Sequence, residues 1–274
     1  MAFALDGVIN EEQILNIMIA KMRKALVAQN AVRYHSVPGG LSSIKIPGIS
    51  DVEDQEYTGS DLDITDVTDE AKILVLNQRR SFAKTVDKVD DYEAAVNVVS
   101  EVIENGIYGI AKRADKFINT TITSDADVAS LAGGQITISA LNAVSTIIKV
   151  GVALDNLDVP ESGRILMASP ELAGALAEAN ISFSITTAEE AARTGFVGRF
   201  GGFDIFKSNN LADGAGSGKM CYAGIPAGGD FGQSLQTSDI VSTEKSFKWL
   251  IKGLSVYGSK VNNPNCYVKF DVTA

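Results

Sequence analysis

The chain has 274 residues, of which 45% are hydrophobic and 21% are charged, and its formal net charge at pH 7 is −10. This ordinary globular composition supports one large domain or two smaller ones, each with a core. An acidic surface repels nucleic-acid phosphate, which argues against a protein that grips DNA.

Targeting signals and cysteine frameworks are not visible in the sequence pattern. No apolar stretch approaches the length that spans a bilayer, and the first residues lack the basic leader of a signal peptide. We therefore expect a protein that is made and kept in the cytosol. Cys221 and Cys266 are the only cysteines and lack a C-x-x-C spacing. This favours two inert small hydrophobes over a disulfide framework or a zinc site.

A first helix is predicted over residues 10–28. Asn10 suits the N-cap, and the two glutamates that follow it suit the positive end of the helix dipole. The apolar side of this helix consists of Ile14, Met18, Met22 and Ala25. A short amphipathic helix of this kind needs a partner surface, either in its own subunit or in a neighbour.

Residues 41–86 are rich in predicted strands, at 44–46, 73–76 and 82–86. Between the first two strands, residues 51–70 contain nine acidic residues and neither lysine nor arginine. A segment so poor in large apolar side chains cannot build a core of its own. We predict an extended β-hairpin or loop that projects from the body, either as a mobile surface hairpin or as an arm resting on another subunit.

The longest predicted element is a helix over residues 90–120. Asp90 and Glu93 form a pattern similar to a capping box. Three basic residues are predicted to lie near the negative end of the helix dipole: Lys112, Arg113 and Lys116. A helix of this length would be about 40 Å long, which suits either a long core helix or the spine of an extended subunit. The apolar residues that define its buried face are Tyr92, Val96, Val99, Ile103, Ile107, Ile110, Ala114 and Phe117.

The remaining residues alternate between helix and strand patterns and predict an α+β fold. Ser139 is predicted to cap a helix that reaches residue 154, and Pro170 suits the first position of another. A further short helix is predicted at 188–193. The apolar face of the helix after Ser139 is predicted to include Leu141, Val144, Ile147, Ile148 and Val152. Strands are predicted at 165–168, 203–206, 220–225, 249–251, 254–257 and 267–270.

The loop 213–219 invites comparison with a phosphate-binding loop, but three features argue against it. Asp213 stands at the first required glycine, and Met220 follows Lys219 where a serine or threonine is required. A strand, rather than a helix, is predicted to follow. The glycine spacing also fails the dinucleotide-binding pattern G-x-G-x-x-G. We predict a flexible, exposed surface loop.

Asp61, Asp63 and Thr65 resemble the opening of a calcium-binding loop. However, Asp66 replaces the required turn glycine, and Lys72 stands where the final glutamate is needed. A solvated acidic face is the predicted structure, with weak cation binding as the alternative.

His35 is the only histidine, and it lies just before Pro38 rather than beside a serine nucleophile. Catalytic triads and most hydrolytic metal sites require histidine, so this excludes many enzyme mechanisms. A surface or linker role is predicted for His35. Carboxylate-pair or lysine chemistry stays open from these residues, but no constellation stands out. We therefore expect no enzyme and assign no catalytic, cofactor-binding or metal-binding residues.

Three segments carry a resemblance to a known family. Residues 159–170 (VPESGRILMASP) look like the family's strand-turn-helix. Residues 195–205 (GFVGRFGGFDI), followed by Ser-Asn-Asn-Leu at 208–211, are similar to its G-x-x-G-x-x-x-G-F and S-N-x-L stretch. Residues 252–264 look like its closing strand. Together with the order of the predicted elements, they resemble the major capsid (coat) proteins of tailed bacteriophages (Caudoviricetes), which have the Hong Kong 97-type shell fold.

The resemblance implies a subunit with four parts and a spine helix. They are an N-terminal arm (1–36), an extended β-loop lying over the adjacent subunit (37–88), a peripheral domain with the spine helix (89–132 and 241–274) and an axial domain (133–240). Some relatives join a lysine of the extended loop to an asparagine. Here no lysine lies between Lys45 and Lys72, so no such cross-link is expected.

The implied function is self-assembly into the icosahedral shell that encloses phage double-stranded DNA. The implied partners are identical copies in pentamers and hexamers, a portal, a separate scaffolding protein, and DNA held without sequence-specific contacts. The implied location is the virion, after assembly in the host cytoplasm, with no membrane and no cofactor. An encapsulin-type compartment, which encloses cargo enzymes within the same fold, is one alternative. A soluble α/β enzyme using carboxylates is the other.

Overall fold

The structure, a computed structural model, describes residues 26–38, 41–46, 71–87, 98–179, 196–242 and 247–273. Within these ranges the chain forms a mixed α+β fold, as predicted. The helices are α1 Val98–Ser124, α2 Ala143–Asp155 and α3 Pro170–Glu178. The strands are β1 Arg33–Ser36, β2 Ser43–Ile46, β3 Lys72–Val75, β4 Gln78–Asp87, β5 Ala129–Thr137, β6 Ile165–Ala168, β7 Phe196–Phe200, β8 Phe203–Lys207, β9 Ala212–Asp213, β10 Lys219–Gly224, β11 Gly229–Ser242, β12 Lys248–Val261 and β13 Tyr267–Thr273.

Helix α1 is 27 residues long within the described part of the chain and packs against β12 and β4. Its buried stripe follows the predicted spacing: Ile107, Ile110, Ala111, Ala114, Ile118 and Ile122. The predicted start and cap at Asp90 lie outside the described residues. The helix continues past residue 120 because Ile118 and Ile122 are both fully buried. The prediction that basic residues lie at the C-terminal end of this helix is therefore wrong. Lys116 lies two turns before the end, and no basic residue occupies the last turn.

A four-stranded sheet has the order β1-β11-β12-β4. Strand β1 runs parallel to β11, and the other neighbours are antiparallel. The two short strands predicted between 249 and 257 form the single long strand β12. The strand predicted at 82–86 is the second half of β4, which forms one edge of this sheet.

A seven-stranded sheet has the order β5-β13-β10-β6-β8-β7, with β9 beside β10. The strand predicted at 165–168 is confirmed as β6, and the helix predicted from Pro170 is confirmed as α3. Ser169 caps α3 by accepting a hydrogen bond from the Leu172 N–H at 3.2 Å. Gly201 and Gly202 have φ angles of +59° and +84° and form the turn between β7 and β8, where L-residues are disfavoured.

Helix α2 packs against α3 and the seven-stranded sheet, but its apolar face differs from the prediction. It begins at Ala143, not directly after Ser139, and its buried side consists of Ala143, Thr146, Ile147, Val150 and Leu154. Leu141, Ile148 and Val152, which were predicted to be buried, are 95%, 57% and 52% exposed. The helix is apolar on two sides, and only one of them packs within the subunit.

One continuous core joins the two large sheets through α1. Neighbouring aromatic rings extend from β1 to the helix. Tyr34 contacts Phe231, and Phe231 contacts Tyr257, with ring centroids 6.1 Å apart in both pairs. Tyr257 meets Phe117 of α1 edge-on at 5.7 Å. The long helix α1 is thus held against the four-stranded sheet by aromatic packing.

Residues near the N-terminus are only partly described. The predicted helix over 10–28 lies almost entirely outside the described residues. Its last residue, Ala28, opens a short 3₁₀ turn, Ala28–Ala31, which packs against α1 and β6. The short helix predicted at 188–193 also lies outside the described residues.

Candidate assembly surfaces

The root of the predicted extended loop is a two-stranded sheet. Strands β2 and β3 pair antiparallel, with Ile46 opposite Lys72, so residues 47–71 connect their ends. Leu74 is fully buried against the body. A Cβ at Gly258 would collide with the carbonyl oxygen of Val75, so glycine is required where β3 crosses β12. The two-stranded root is therefore fixed to the four-stranded sheet.

The other side of this root faces outward. Ile73 and Val75 are each 55% exposed, although both are large and apolar. The Lys72 Nζ donates to the Asn262 carbonyl at 2.6 Å, which holds the start of β3 beside the end of β12. Exposed apolar side chains of this size are typical of a surface that another chain covers.

Asp230 is a fully buried carboxylate at which three separate parts of the chain meet. The Arg33 guanidinium lies 3.1 Å from it, and the His35 Nε2 lies 2.7 Å from its Oδ1. The Asn262 side chain also donates to it. The sequence prediction of a surface or linker role for His35 is therefore wrong, because His35 is half-buried in β1 and bonded to this carboxylate. The cluster joins β1, β11 and Asn262, whose carbonyl accepts a hydrogen bond from Lys72.

Asp115 lies on the buried side of α1 and anchors the segment that follows the N-terminus. Its Oδ1 accepts from the Ala28 N–H at 2.8 Å, and its Oδ2 accepts from the Asn210 side chain at 3.3 Å. Burial raises the pKa of Asp115 to about 6 despite these hydrogen bonds. Asp115 was not predicted from the sequence, although a lone acid within an apolar stripe is a usable signal.

A basic groove of about 310 Å³ lies between β4 and α1. Its charged lining residues are Arg80 of β4 and Arg113 of α1, and Asn105 adds an amide. Arg80 donates to the Tyr257 hydroxyl, and both guanidinium groups oppose the rise in the pKa of Tyr257 that burial causes. From the sequence, Arg113 was predicted only to lie near the negative end of the helix dipole. The groove arises because β4 places Arg80 beside that helix face.

The floor of the basic groove depends on close packing around Phe82. Its ring lies between Gly106 of α1 and Gly253 of β12, which is its register partner. A Cβ at either glycine would lie 2.5 to 2.6 Å from a ring carbon. Gly109, one turn along the helix, has nothing within 4 Å of its Cβ position. The groove is therefore open above Gly109 and closed at Phe82.

The exposed side of α2 borders a second groove, of about 340 Å³, beneath the turn at Gly201. Ile148 and Val152 line it, together with Arg164. Arg164 is itself buried and pairs with Asp155 at 2.7 Å. An apolar helix side next to an open groove is typical of a protein–protein contact surface.

The loop 213–219 is exposed at its tip, as predicted, but it is not the flexible loop that its glycines suggested. The Ala215 N–H donates to the Asp271 carboxylate at 2.7 Å, and the Gly214 N–H donates to the Gly218 carbonyl at 2.9 Å. A Cβ at Gly214 or Gly218 would collide with Asp271, so these glycines allow close packing. Lys219 pairs with Asp213 at 2.6 Å and lowers the pKa of that carboxyl.

Cys221 and Cys266 are free thiols. Burial raises the pKa of Cys221 to about 12, and it also raises the pKa of Cys266. A thiol with a raised pKa is a poor nucleophile, because the thiolate is the reactive form. The prediction that both cysteines are inert, rather than members of a disulfide framework, agrees with this chemistry.

Within the described ranges, no three His, Cys, Asp or Glu side chains are grouped so that they could hold a metal ion. The possible calcium-loop residues Asp61, Asp63 and Thr65 lie outside those ranges. Among the helices that the structure describes, none combines the length and hydrophobicity that crossing a bilayer requires.

Comparison with solved structures finds this fold in phage particles. A chain of Mycobacterium phage Che8 is 24% identical, with 84% of each chain covered and a TM-score of 0.64. A chain from the capsid of Ralstonia phage GP4 is 10% identical over 90% of this chain and 88% of that one, with a TM-score of 0.66. A virus-like particle from Pyrococcus furiosus matches at 12% identity over 94% and 98%, with a TM-score of 0.58. No family model and no curated protein matches the chain.

At these identities the comparisons establish the fold. The chain has the fold of phage capsid subunits. The matches cover 90% of this chain and 87% to 88% of each matched capsid chain. The resemblance inferred from the three sequence segments is confirmed at this level.

Proposed function

We propose that this chain is a phage major capsid protein that self-assembles into an icosahedral shell around double-stranded DNA. The observation that carries the proposal is the shared fold with phage capsid subunits over 90% of this chain and 88% of theirs. The surfaces described above support it, because large apolar side chains are exposed at the loop root and on α2. Such surfaces are stabilised when identical copies cover them.

In this proposal the fold is of the Hong Kong 97 type, and α1 is the spine of a peripheral domain formed by 89–132 and 241–274. Residues 133–240 form the axial domain, 37–88 form the extended loop, and 1–36 form the N-terminal arm. Identical copies form pentamers and hexamers, with a portal and a separate scaffolding protein as further partners. The protein works in the virion, after assembly in the host cytoplasm, and it is not an enzyme.

The net charge of −10 suits the inside of a DNA-filled shell. An acidic wall adheres weakly to phosphate, so the entering DNA is not held by the protein as it is packed. Sequence-specific contact with DNA is therefore not part of the proposed function.

The test is negative-stain electron microscopy of the purified protein, alone and with any scaffolding protein encoded beside it. Uniform hollow particles are the expected result. A discrete small oligomer under every condition would contradict the proposal and would favour the enzyme interpretation.

A second candidate is the encapsulin-type compartment, because the fold also occurs in a virus-like particle from Pyrococcus furiosus and is thus found in particles other than those of phages. The two functions differ in what the particle contains. Nuclease-protected double-stranded DNA in particles isolated from the native source identifies a phage shell. A co-purifying cargo enzyme without DNA identifies a compartment.

A further inference from the structure

The two arginines of the basic groove, Arg80 and Arg113, form no ion pair with a carboxylate among the residues that the structure describes. The neighbouring positions explain this. The four positions that a helix places beside Arg113 hold no acid: Gly109, Ile110, Lys116 and Phe117. The residue opposite Arg80 on β12 is Ser255, which is also uncharged. The positive charge of both guanidinium groups is thus available to a ligand.

Both guanidinium groups lie near the same hydroxyl group, that of Tyr257. Arg80 donates a hydrogen bond to this hydroxyl, and the charges of both arginines oppose the rise in the pKa of Tyr257 that burial causes. The Tyr257 side chain is only 1% exposed and packs edge-on against Phe117, so it is a fixed anchor for Arg80. A side chain that is ordered before binding loses less entropy when a ligand arrives.

The helix wall of the groove adds a third donor and open space. Asn105, Gly109 and Arg113 are spaced four residues apart, so they follow one line along the surface of α1. The amide of Asn105 can donate two hydrogen bonds. Gly109, between the other two, has nothing within 4 Å of its Cβ position. The groove therefore has donors on both walls and an open centre.

The charge and the number of these donors suit a phosphate group. A phosphate monoester carries a charge of about −1.5 to −2 at pH 7 and three strong acceptor oxygens, whereas a carboxylate would neutralise only one of the two arginines. The planar guanidinium group binds phosphate with two parallel hydrogen bonds. The groove volume of about 310 Å³ lies at the lower end of the roughly 300–1,000 Å³ of small-molecule sites. This volume fits a phosphate with a small attached group.

A small phosphate suits this chain better than the backbone of a nucleic acid does. The net charge of −10 repels an extended polyanion, while a small anion experiences mainly the charges within about 8 Å, the screening length at 0.15 M salt. Each phosphate of DNA also carries only one negative charge. The two arginines therefore match a phosphate dianion more closely than they match a phosphodiester.

We propose that the basic groove is a binding site for a phosphate dianion, bound by Arg80, Arg113 and Asn105. The ligand is free phosphate or the phosphate monoester of a small molecule. This inference goes beyond the proposed shell function and does not depend on it, because the site lies within one subunit. A bound phosphate connects β4 to α1, so it stabilises the folded state against the unfolded chain.

The test is calorimetric titration of the full-length, unassembled subunit with sodium phosphate at constant ionic strength. We expect saturable binding and a thermal unfolding midpoint that rises with phosphate concentration. The groove variant, Arg80→Gln with Arg113→Gln, should bind phosphate about tenfold or more weakly, because it loses charge-assisted hydrogen bonds. Absence of saturable binding to the unmodified chain, or unchanged affinity in a folded groove variant, would overturn the proposal.

The matched control carries Arg79→Gln and Lys112→Gln, which lie next to the two arginines on the same elements. It changes the net charge by the same amount, but neither residue lines the groove. Arg79 points to the opposite side of β4 from Arg80, because side chains alternate along a strand. The control should bind phosphate as the unmodified chain does. An equal loss of affinity in both double variants would mean unspecific attraction and would refute the site.

Gly109→Leu tests the site without changing any charge. Its Cβ position is open and leucine is a good helix former, so the subunit should stay folded while the new side chain fills the groove. Phosphate affinity should fall about tenfold or more. If the groove variant does not fold, this variant decides, because unchanged affinity in folded Gly109→Leu subunits would also refute the site.

Competition experiments identify the kind of ligand. Displacement of phosphate by glycerol 3-phosphate extends the site to monoesters, and its failure to compete restricts the site to free phosphate. Sodium acetate and a DNA duplex without terminal phosphates should compete only weakly. Acetate that competes as well as phosphate would assign the groove to carboxylates, and a duplex that binds more tightly would assign it to nucleic acid. Either of these two results would overturn the proposal.

Discussion

Phe82 is the residue on which the contact between β4 and α1 depends, because its ring fills the space that two glycines leave. We predict that Gly106→Ala lowers the free energy of unfolding of the subunit by about 1–2 kcal/mol, since its Cβ would overlap the Phe82 ring. Denaturant unfolding of the unassembled subunit measures the change.

The matched control is Gly109→Ala in the same helix. Nothing lies within 4 Å of its Cβ position, so the higher helix propensity of alanine should raise stability by about 0.5–1 kcal/mol. If the two variants have equal stability, the Phe82 packing does not constrain the helix.

Asp115 gives a residue-scale prediction about pH. Its pKa is raised by burial from 3.8 to about 6, so the folded subunit binds this proton more tightly than the unfolded chain does. The resulting stability is fully present below pH 4 and is lost as pH rises towards 6, by about 3 kcal/mol at 1.4 kcal/mol per pH unit. Asp115→Asn removes the titrating group and keeps an acceptor for Ala28.

The measurement is the difference in unfolding free energy between Asp115→Asn and the unmodified subunit from pH 4 to pH 7. That difference should grow in favour of the asparagine variant up to about pH 6 and then stay constant. Parallel curves over the whole range would show that Asp115 does not change its proton affinity on folding.

At the scale of single elements, the proposed shell function predicts that the exposed side of helix α2 is an assembly surface. We predict that the double variant Ile148→Ser and Val152→Ser changes the stability of the subunit by less than about 1 kcal/mol, because both side chains are more than half exposed. The same variant should lose particle yield, because its apolar side no longer fits a neighbour. Sedimentation separates particles from subunits.

Ile147→Ser is the comparison for this helix. Ile147 is fully buried, so serine there should lower the free energy of unfolding by about 2–5 kcal/mol. The subunit would then unfold, and its loss of particles would not report on an assembly contact. If the double variant assembles as well as the unmodified chain, the exposed side of α2 does not contact another copy.

The elements that the sequence predicts well are those whose signals are local. Strand β6 and helix α3 follow directly from an apolar run, a serine cap and Pro170. The buried face of α2 could not be predicted from the sequence. An apolar residue indicates burial, but it does not show whether the residue packs within the same subunit or against another one. The ends of α1 were also missed, since burial of Ile122 extends the helix beyond its basic residues.

The candidate surfaces were harder to predict because they join distant residues. His35 and Asp230 are 195 positions apart, and no local pattern connects them. Arg80 and Arg113 likewise become one groove only when β4 packs on α1. The acidic residues 51–70, by contrast, could be recognised from composition alone, and their role as an arm stays a prediction.

For the whole molecule, the assembly role proposed for residues 51–70 predicts that folding and assembly can be separated. We predict that replacing residues 51–70 by a short Gly-Ser linker leaves a folded body, because Leu74 and the rest of the loop root remain packed. The same deletion should abolish particles, since the loop can no longer reach a neighbour. Circular dichroism and electron microscopy measure the two outcomes.

A deletion variant that still forms normal particles would disprove the role of this segment in assembly. A deletion variant that unfolds would show that the segment belongs to the core. A linker of equal length made of serine and glycine is a useful companion, because it keeps the reach of the loop and removes only its charge.

The position of β1 has a consequence for how the polypeptide is made. Residues 33–36 pair with a strand that is synthesised almost 200 residues later, and the Tyr267 hydroxyl donates to the Ala31 carbonyl across 236 positions. Contacts so distant in sequence close slowly. On the ribosome, the N-terminal part must wait for nearly the entire chain before its sheet can form. Unfinished chains therefore lack this part of the sheet, and in the proposed shell only full-length copies would present the completed surface to one another.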